Sequence, residues 1–185
     1  SELLNDYDAG VHEADLGVAR LIAKLRELGR WDDALVIVVS DHGESFFDHR
    51  LWVGHGLALT DDEIRIPMIV KFPKSEGAGK RVSTLVDLLD LAPTVLGCAG
   101  LPTTKEMLGS NLLELVRGGK RSRNWAFADT YNTERQCLVR DGYKYINEIG
   151  VRPINIVREH IQPITPDSVA DLFPGWGYTR KMPDG

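Results

Sequence analysis

The stretch Ala34-Leu35-Val36-Ile37-Val38-Val39-Ser40-Asp41-His42-Gly43-Glu44 joins an unbroken apolar, β-branched run to a cluster of polar and ionisable side chains. Leu35 to Val39 has the pattern of a strand covered on both faces in the middle of a parallel sheet. The run stops at Ser40, and in open α/β sheets ligands sit outside the carboxyl ends of strands. Asp41 and His42 therefore emerge where a site is expected, and Trp52-Val53-Gly54-His55-Gly56 follows shortly after.

On the N-terminal side, Val11, Leu16, Val18, Leu21, Ile22, Leu25 and Leu28 form a helical stripe. The spacing predicts a helix from about Tyr7 to Leu28, with Asn5 or Asp6 as N-cap and Gly29 as its end. Helix, short turn and buried strand make half of a βαβ unit. With no strand ahead of the helix to complete the unit, the chain reads as the later part of a larger protein.

On the C-terminal side, His42 to Asp62 is longer than an ordinary connector and carries three histidines and several carboxylates, a pattern common in functional loops. Ile64 to Phe72 reads as a second strand, with Pro67 confined to its first residues or to an edge. Pro73 to Lys80 is a turn or loop. Ser83 to Ala99 is apolar enough to lie against the sheet, either as one helix or as a helix starting near Leu91 with Pro93 in its first turn. Leu108 to Val116 contains a short helix capped by Ser110 or Asn111. Trp125–Ala128, Gln136–Arg140 and Tyr143–Glu148, with a hairpin signal at Asp141-Gly142, predict a small antiparallel sheet. The proline-rich stretch from Val151 to Gly185 reads as loop, with a weak helical tendency around Ser168 to Phe173. The expected fold class is thus α/β. A mostly parallel sheet with flanking helices spans residues 1–118, and a small antiparallel subdomain with a tail spans 119–185.

The 185 residues are 43% apolar and 26% charged, with a net charge of −5, which fits a globular chain and argues against a nucleic-acid-binding face. No apolar run approaches the roughly 18 residues of a membrane span, and no signal peptide is visible. Location stays open. Cys98 and Cys137 lack metal-ligand spacing and read as ordinary buried thiols.

Asp41 and His42 offer one hard oxygen and one imidazole nitrogen, and Gly43 lets the chain turn so that both reach a common point, a pairing that suits calcium, manganese or zinc. His55, flanked by Gly54 and Gly56, is a candidate metal ligand, proton donor to a leaving group, or anion contact. Glu44 is either a partner that orients His42 or a solvated carboxylate. Asp48, His49, Asp61, Asp62 and Glu63 read as solvated or structural. Asp8, His12 and Asp15 share one helix face, most simply a solvated one. The Gly-x-Ser-x-Gly elbow, the phosphate-cradling glycine loop and the dinucleotide fingerprint are all absent from the sequence.

Tyr7-Asp8-Ala9-Gly10-Val11, Val38-Val39-Ser40-Asp41-His42-Gly43-Glu44, Gly54-His55-Gly56, Ile64-Arg65-Ile66-Pro67-Met68-Ile69-Val70, Asp90-Leu91-Ala92-Pro93-Thr94-Val95-Leu96 and Asp141-Gly142-Tyr143-Lys144-Tyr145-Ile146 resemble, in order, the C-terminal half of a type I sulfatase of the alkaline phosphatase superfamily. The resemblance implies metal-assisted hydrolysis of a sulfate ester on a small molecule or carbohydrate. It implies Asp41 and His42 as ligands of a divalent cation, calcium foremost and manganese or zinc as alternatives, with His55 as a catalytic residue. It also implies a formylglycine nucleophile in a Cys-x-Pro-x-Arg or related motif of the missing N-terminal half, and slightly favours a periplasmic or secreted location. Neither Cys98 nor Cys137 stands in that motif. Where many sulfatases carry a sulfate-contacting lysine, this chain has His55. Phosphodiester or phosphonate hydrolases and phosphoethanolamine transferases of the superfamily share the Ser-Asp-His-Gly-Glu stretch and form the alternative enzyme reading. A non-catalytic remnant or interaction module is the alternative of another class.

Overall fold

The computed structural model describes residues 2–47, 53–130 and 135–148. Asp48, His49 and the stretch from Val151 to Gly185, with its helical tendency around Ser168 to Phe173, lie outside the described residues. Helix α1 runs Glu2–Glu27, starting earlier than the apolar stripe predicts. It ends in a left-handed glycine, Gly29 at φ 63°. The Gly29 N–H donates to the Arg26 carbonyl at 3.0 Å and the Arg30 N–H to the Leu25 carbonyl at 2.8 Å, the paired bonds of a Schellman end. Leu3, Leu4, Tyr7, Val11 and Leu21 are exposed along this helix.

Next come β1 (Val36–Val39), β2 (Ser45–Phe46), β3 (Val53–Gly54), the one-turn helix α2 (Asp61–Ile64) and β4 (Met68–Lys71). Pro67 immediately precedes β4, where its missing N–H costs no ladder bond. The expected mostly parallel sheet does not form: among the described residues every strand pairing is antiparallel. β1 pairs with β4 from Val36↔Lys71 to Val39↔Met68. A parallel neighbour needs a crossover connection, usually a helix of several turns. Between them the described residues hold only the antiparallel β2–β3 pair and one turn of α2, and β4 runs back beside β1. Val38 and Ile69, partners in register, are 38% and 67% exposed, so one face of the pair is open in the described chain. An apolar run reports a tendency to burial; it carries no information about a neighbour's direction.

The other face carries the core. Phe72, Leu112 and Leu113 are buried, with Leu35, Met68, Val70, Val86, Leu115 and Val116 packed around them. Lys71, on β4, donates to the carbonyls of Trp31, Asp32 and Ala34 and lies over the Trp31 ring, tying the turn after α1 to the strand pair.

A 3-10 turn at Leu88–Asp90 leads into α3 (Leu91–Cys98). Pro93 therefore falls in the first helical turn, which decides between the two registers that the sequence allows. Asp87 and Asp90 cap the turn reciprocally: the Leu89 N–H donates to the Asp87 carboxylate at 3.1 Å and the Asp87 N–H to the Asp90 carboxylate at 3.0 Å. Helix α4 (Leu112–Val116) is capped by Asn111, whose side chain accepts the Leu113 N–H at 2.9 Å.

Strands β5 (Trp125–Asp129), β6 (Arg135–Arg140) and β7 (Tyr143–Glu148) form the expected antiparallel sheet. The β6–β7 turn is Asp141-Gly142, with φ 50° and 81°, the positive pair that a two-residue hairpin turn requires. Ion pairs of two buried arginines join the segment ahead of β5 to the 3-10 turn that leads into α3. Arg121 donates to Asp90 at 2.7 Å and 3.1 Å, and Arg123 donates to Asp87 at 2.5 Å.

Candidate metal and ester site

β1 delivers its last residue to a turn that its own polar groups hold. The Ser40 hydroxyl donates to the His42 carbonyl at 2.6 Å, and the His42 N–H donates to the Asp41 carboxylate at 3.0 Å. His42 Nδ1 lies 2.8 Å from the Gly43 carbonyl. A carbonyl only accepts, so Nδ1 carries the proton and Nε2 presents its lone pair. That Nε2 lies 3.8 Å from Asp41 Oδ1. The Asp41 side chain is 85% exposed and that of His42 43%, so the pair opens outward.

Gly43 is required here for space. A Cβ on it would lie 1.9 Å from the Asp62 carbonyl oxygen, and its N–H donates to the Glu63 carbonyl at 2.7 Å. The strand-end turn and the α2 turn are thereby in backbone contact.

The hairpin brings in the second half of the site. β2 and β3 pair in the register Ser45↔Gly54, which sets Glu44 and His55 beside one another at the open end of the ladder. His55 Nδ1 lies 3.0 Å from Glu44 Oε2, so Nδ1 donates to the carboxylate and Nε2 is left for another partner. The His42 and His55 rings stack, with centroids 3.7 Å apart and planes 24° apart. His42, Glu44 and His55 each bring a ligand atom to within 4.8 Å of the others. The sequence suggests Glu44 as a partner of His42; the structure pairs it with His55, and the Gly43 carbonyl orients His42.

The other candidates separate clearly. Asp8, His12 and Asp15 are exposed on α1. Asp61 forms an ion pair with Lys144 of β7, which also donates to the Leu59 carbonyl at 3.2 Å. Arg135 of β6 donates to the Leu57 carbonyl, so the small sheet braces the loop that follows His55. Glu63 is only 2% exposed, and its carboxylate accepts the N–H groups of Gly56, Ala58 and Leu59. Its role beside the site was legible in one signal, the Thr60-x-x-Glu63 spacing of a capping box. Here the glutamate reaches past the cap to earlier amides. Among the described residues no helix is long and apolar enough to cross a membrane.

The chain has known relatives. A family model described as Sulfatase matches residues 1–101. The chain is 30% identical to the multifunctional alkaline phosphatase superfamily protein PehA of Trinickia caryophylli, over 80% of this chain and 32% of that protein. It is 28% identical to arylsulfatase K of Bos taurus, over 76% of this chain and 28% of that protein. The extracellular sulfatase SULF-1 homolog of Drosophila melanogaster is 33% identical, over 93% of this chain and 15% of that protein. The chain thus spans about a third or less of the length of these relatives. In fold it is similar to BT4656, solved in complex with its substrate D-glucosamine-2-N,6-O-disulfate, with a TM-score of 0.65, 24% identity and coverage of 80% of this chain and 31% of that one. Since the family model takes in more than half of the chain, including the Asp41-His42 turn, the Glu44–His55 pair and α3, the chain belongs to the sulfatase family of the alkaline phosphatase superfamily.

Proposed function

We propose that Asp41 and His42 are two ligands of a divalent cation in a sulfuric ester hydrolase, and that His55, oriented by Glu44, acts on the ester at the same place. The observation that carries this reading is Asp41 Oδ1 standing 3.8 Å from a His42 Nε2 left bare by the Gly43 carbonyl. Two donors sharing one cation at about 2.0–2.5 Å each stand roughly 3–4 Å apart, so the pair fits. Imidazole donors suit manganese or zinc better than calcium, which takes oxygen ligands. Calcium would rest on Asp41 and on oxygens from elsewhere in the protein. When bound, such a cation supplies polarisation of the ester oxygens and lowers the pKa of the nucleophile.

The chain's own residues hold and orient this part of the site. The Ser40 hydroxyl and the Asp41 carboxylate hold the turn closed. Glu44 keeps one proton on His55 Nδ1, leaving Nε2 to contact the ester or, when the ring takes a second proton there, to pass that proton to the leaving oxygen. Cys98 closes α3 and Cys137 lies within β6, so the reading assigns the formylglycine nucleophile to protein outside these 185 residues. Hydrolysis of a sulfated small molecule or carbohydrate is accordingly a property of the larger polypeptide. The likeness to a multifunctional superfamily member favours a second reading, phosphodiester or phosphonate hydrolysis at the same residues.

The test is thermal melting of the chain with manganese, zinc or calcium, beside turnover of an aryl sulfate and an aryl phosphodiester by the polypeptide that contains it. The expected result is a metal-specific rise in Tm that Asp41→Ala and His42→Ala each abolish, with the sulfate preferred and no turnover by the 185-residue chain alone. A rise that survives both substitutions sinks the ligand assignment. Preference for the phosphodiester moves the activity to the second reading, and the absence of any metal response supports a non-catalytic module.

A further inference from the structure

We infer that Glu63 is a positioning residue, which locks His55 onto the Asp41-His42 turn by holding both site-bearing loops at once; this rests on the reading of the site given above. Three observations support it. The side chain is almost wholly buried, at 2% exposure, which for a glutamate demands full pairing. Its two oxygens accept the N–H groups of Gly56 at 3.1 Å, Ala58 at 3.1 Å and 3.3 Å, and Leu59 at 3.3 Å. Its backbone carbonyl accepts the Gly43 N–H at 2.7 Å, one residue after His42.

One residue therefore bonds the residue next to His42 through its main chain and the residue next to His55 through its side chain. The loop is shaped for this. Gly56 at φ 85° and Leu59 at φ 59° are left-handed, a conformation that turns nearby amides toward one centre, as in anion-binding nests. Here the anion is the protein's own carboxylate, supplied from the third position of α2. Without it three amides lose their acceptor, Leu59 keeps only the Lys144 bond to its carbonyl to hold its unfavourable φ, and His55 is left to the Glu44 contact, the short β2–β3 ladder and the Arg135 brace at Leu57. The stacked imidazoles at 3.7 Å are the geometric result of this double tether.

The experiment is NMR on the 185-residue chain and its Glu63→Ala and Glu63→Gln variants. The readouts are the ring-to-ring NOE between His42 and His55, amide exchange at Gly56, Ala58 and Leu59, and broadening of the Asp41 and His42 signals by Mn2+. In Glu63→Ala the NOE should vanish and the three amides should exchange about tenfold faster or more, while the β5–β7 amides keep their protection. Glu63→Gln, with one acceptor oxygen left, should fall between. A retained NOE in Glu63→Ala, or unchanged exchange at the three amides, overturns the inference. Should Glu63→Ala also lose β5–β7 protection, Glu63→Gln and the unsubstituted chain decide. In the unsubstituted chain, exchange of the three amides at open-loop rates overturns the inference, and slow exchange as one group supports it. Failure of Mn2+ to broaden Asp41 and His42 in the unsubstituted chain refutes the metal reading and leaves the NOE and exchange data to judge Glu63 alone.

Discussion

Replacing Asp90 by alanine should remove a large part of this chain's stability, although the residue makes no bond to the strand-end turn. Asp90 is 0% exposed. It accepts the Ser110 N–H at 2.7 Å, the Asp87 N–H at 3.0 Å and two bonds from Arg121, a guanidinium that is itself only 2% exposed. Truncation leaves Arg121 its 3.2 Å contact with Asp87, where Arg123 already competes, and orphans two amides. Breaking a buried pair by removing one member costs about 3–5 kcal/mol, because the remaining charge stays desolvated. The two amides lie within the same network, so their cost of about 1–3 kcal/mol each overlaps with that figure and does not simply add. A net loss of about 4 kcal/mol is expected, against a typical total of about 5–15 kcal/mol. For a chain of this size that corresponds to a fall in Tm of roughly 8–16 °C. Urea unfolding followed by circular dichroism measures it, with Arg117→Ala as the comparison. Arg117 bonds Glu76 and Glu114 at the surface, where solvent screens the pairs, and its loss should hardly register. A loss at Asp90 below about 1 kcal/mol would refute the reasoning, since it would mean that water reaches the network and relaxes it.

Two further outcomes follow from single positions. Gly43→Ala drives a Cβ to 1.9 Å from the Asp62 carbonyl oxygen, so the two turns must part. A loss of about 1–3 kcal/mol and a weakened metal-induced Tm rise should appear together in melting curves, and a Tm rise equal to the parent's would contradict the site geometry. The Cys137 thiol is pushed up to about 12 by burial, and Cys98 is raised by burial as well, though it is far less enclosed. Because the thiolate is the reactive form and both groups are raised, ionisation and alkylation should increase with pH, at Cys98 well before Cys137. Mass spectrometry after iodoacetamide treatment at mildly alkaline pH should find Cys98 modified and Cys137 spared until denaturant is added; equal labelling would show that β6 is open.

The candidate site was legible in the sequence where it is built from adjacent residues. Asp41 and His42 are adjacent and their turn is held by local hydrogen bonds, so a hard oxygen beside an imidazole could be read directly, whereas Gly43 is needed for the close approach of the Asp62 carbonyl, which no local pattern shows. The turn chemistry of Gly29, Asn111 and Asp141-Gly142 was equally local, and each appears where the sequence places it. Pro93 narrowed α3 to two registers but did not choose between them. That choice rests on the Asp87–Asp90 capping box, which needs both carboxylates folded back on the chain.

What the sequence by itself determined is therefore the first helix, the two apolar strands, the small antiparallel sheet, the adjacency of Asp41 and His42, and enough ordered motifs to mark the family; β2, β3 and α2 lie in a stretch that it reads as loop. Tertiary structure alone decided three things. It set β4 antiparallel to β1, because strand direction depends on how the intervening chain returns and not on the apolar pattern of either strand. It gave Glu44 to His55 and not to His42, because that contact follows from the Ser45↔Gly54 register, and nothing in residues 44 and 55 taken separately specifies a register. It made Glu63, which the sequence leaves as either solvated or structural, a buried acceptor for three amides, because whether a carboxylate faces water or protein is settled only when the loop it serves has closed around it.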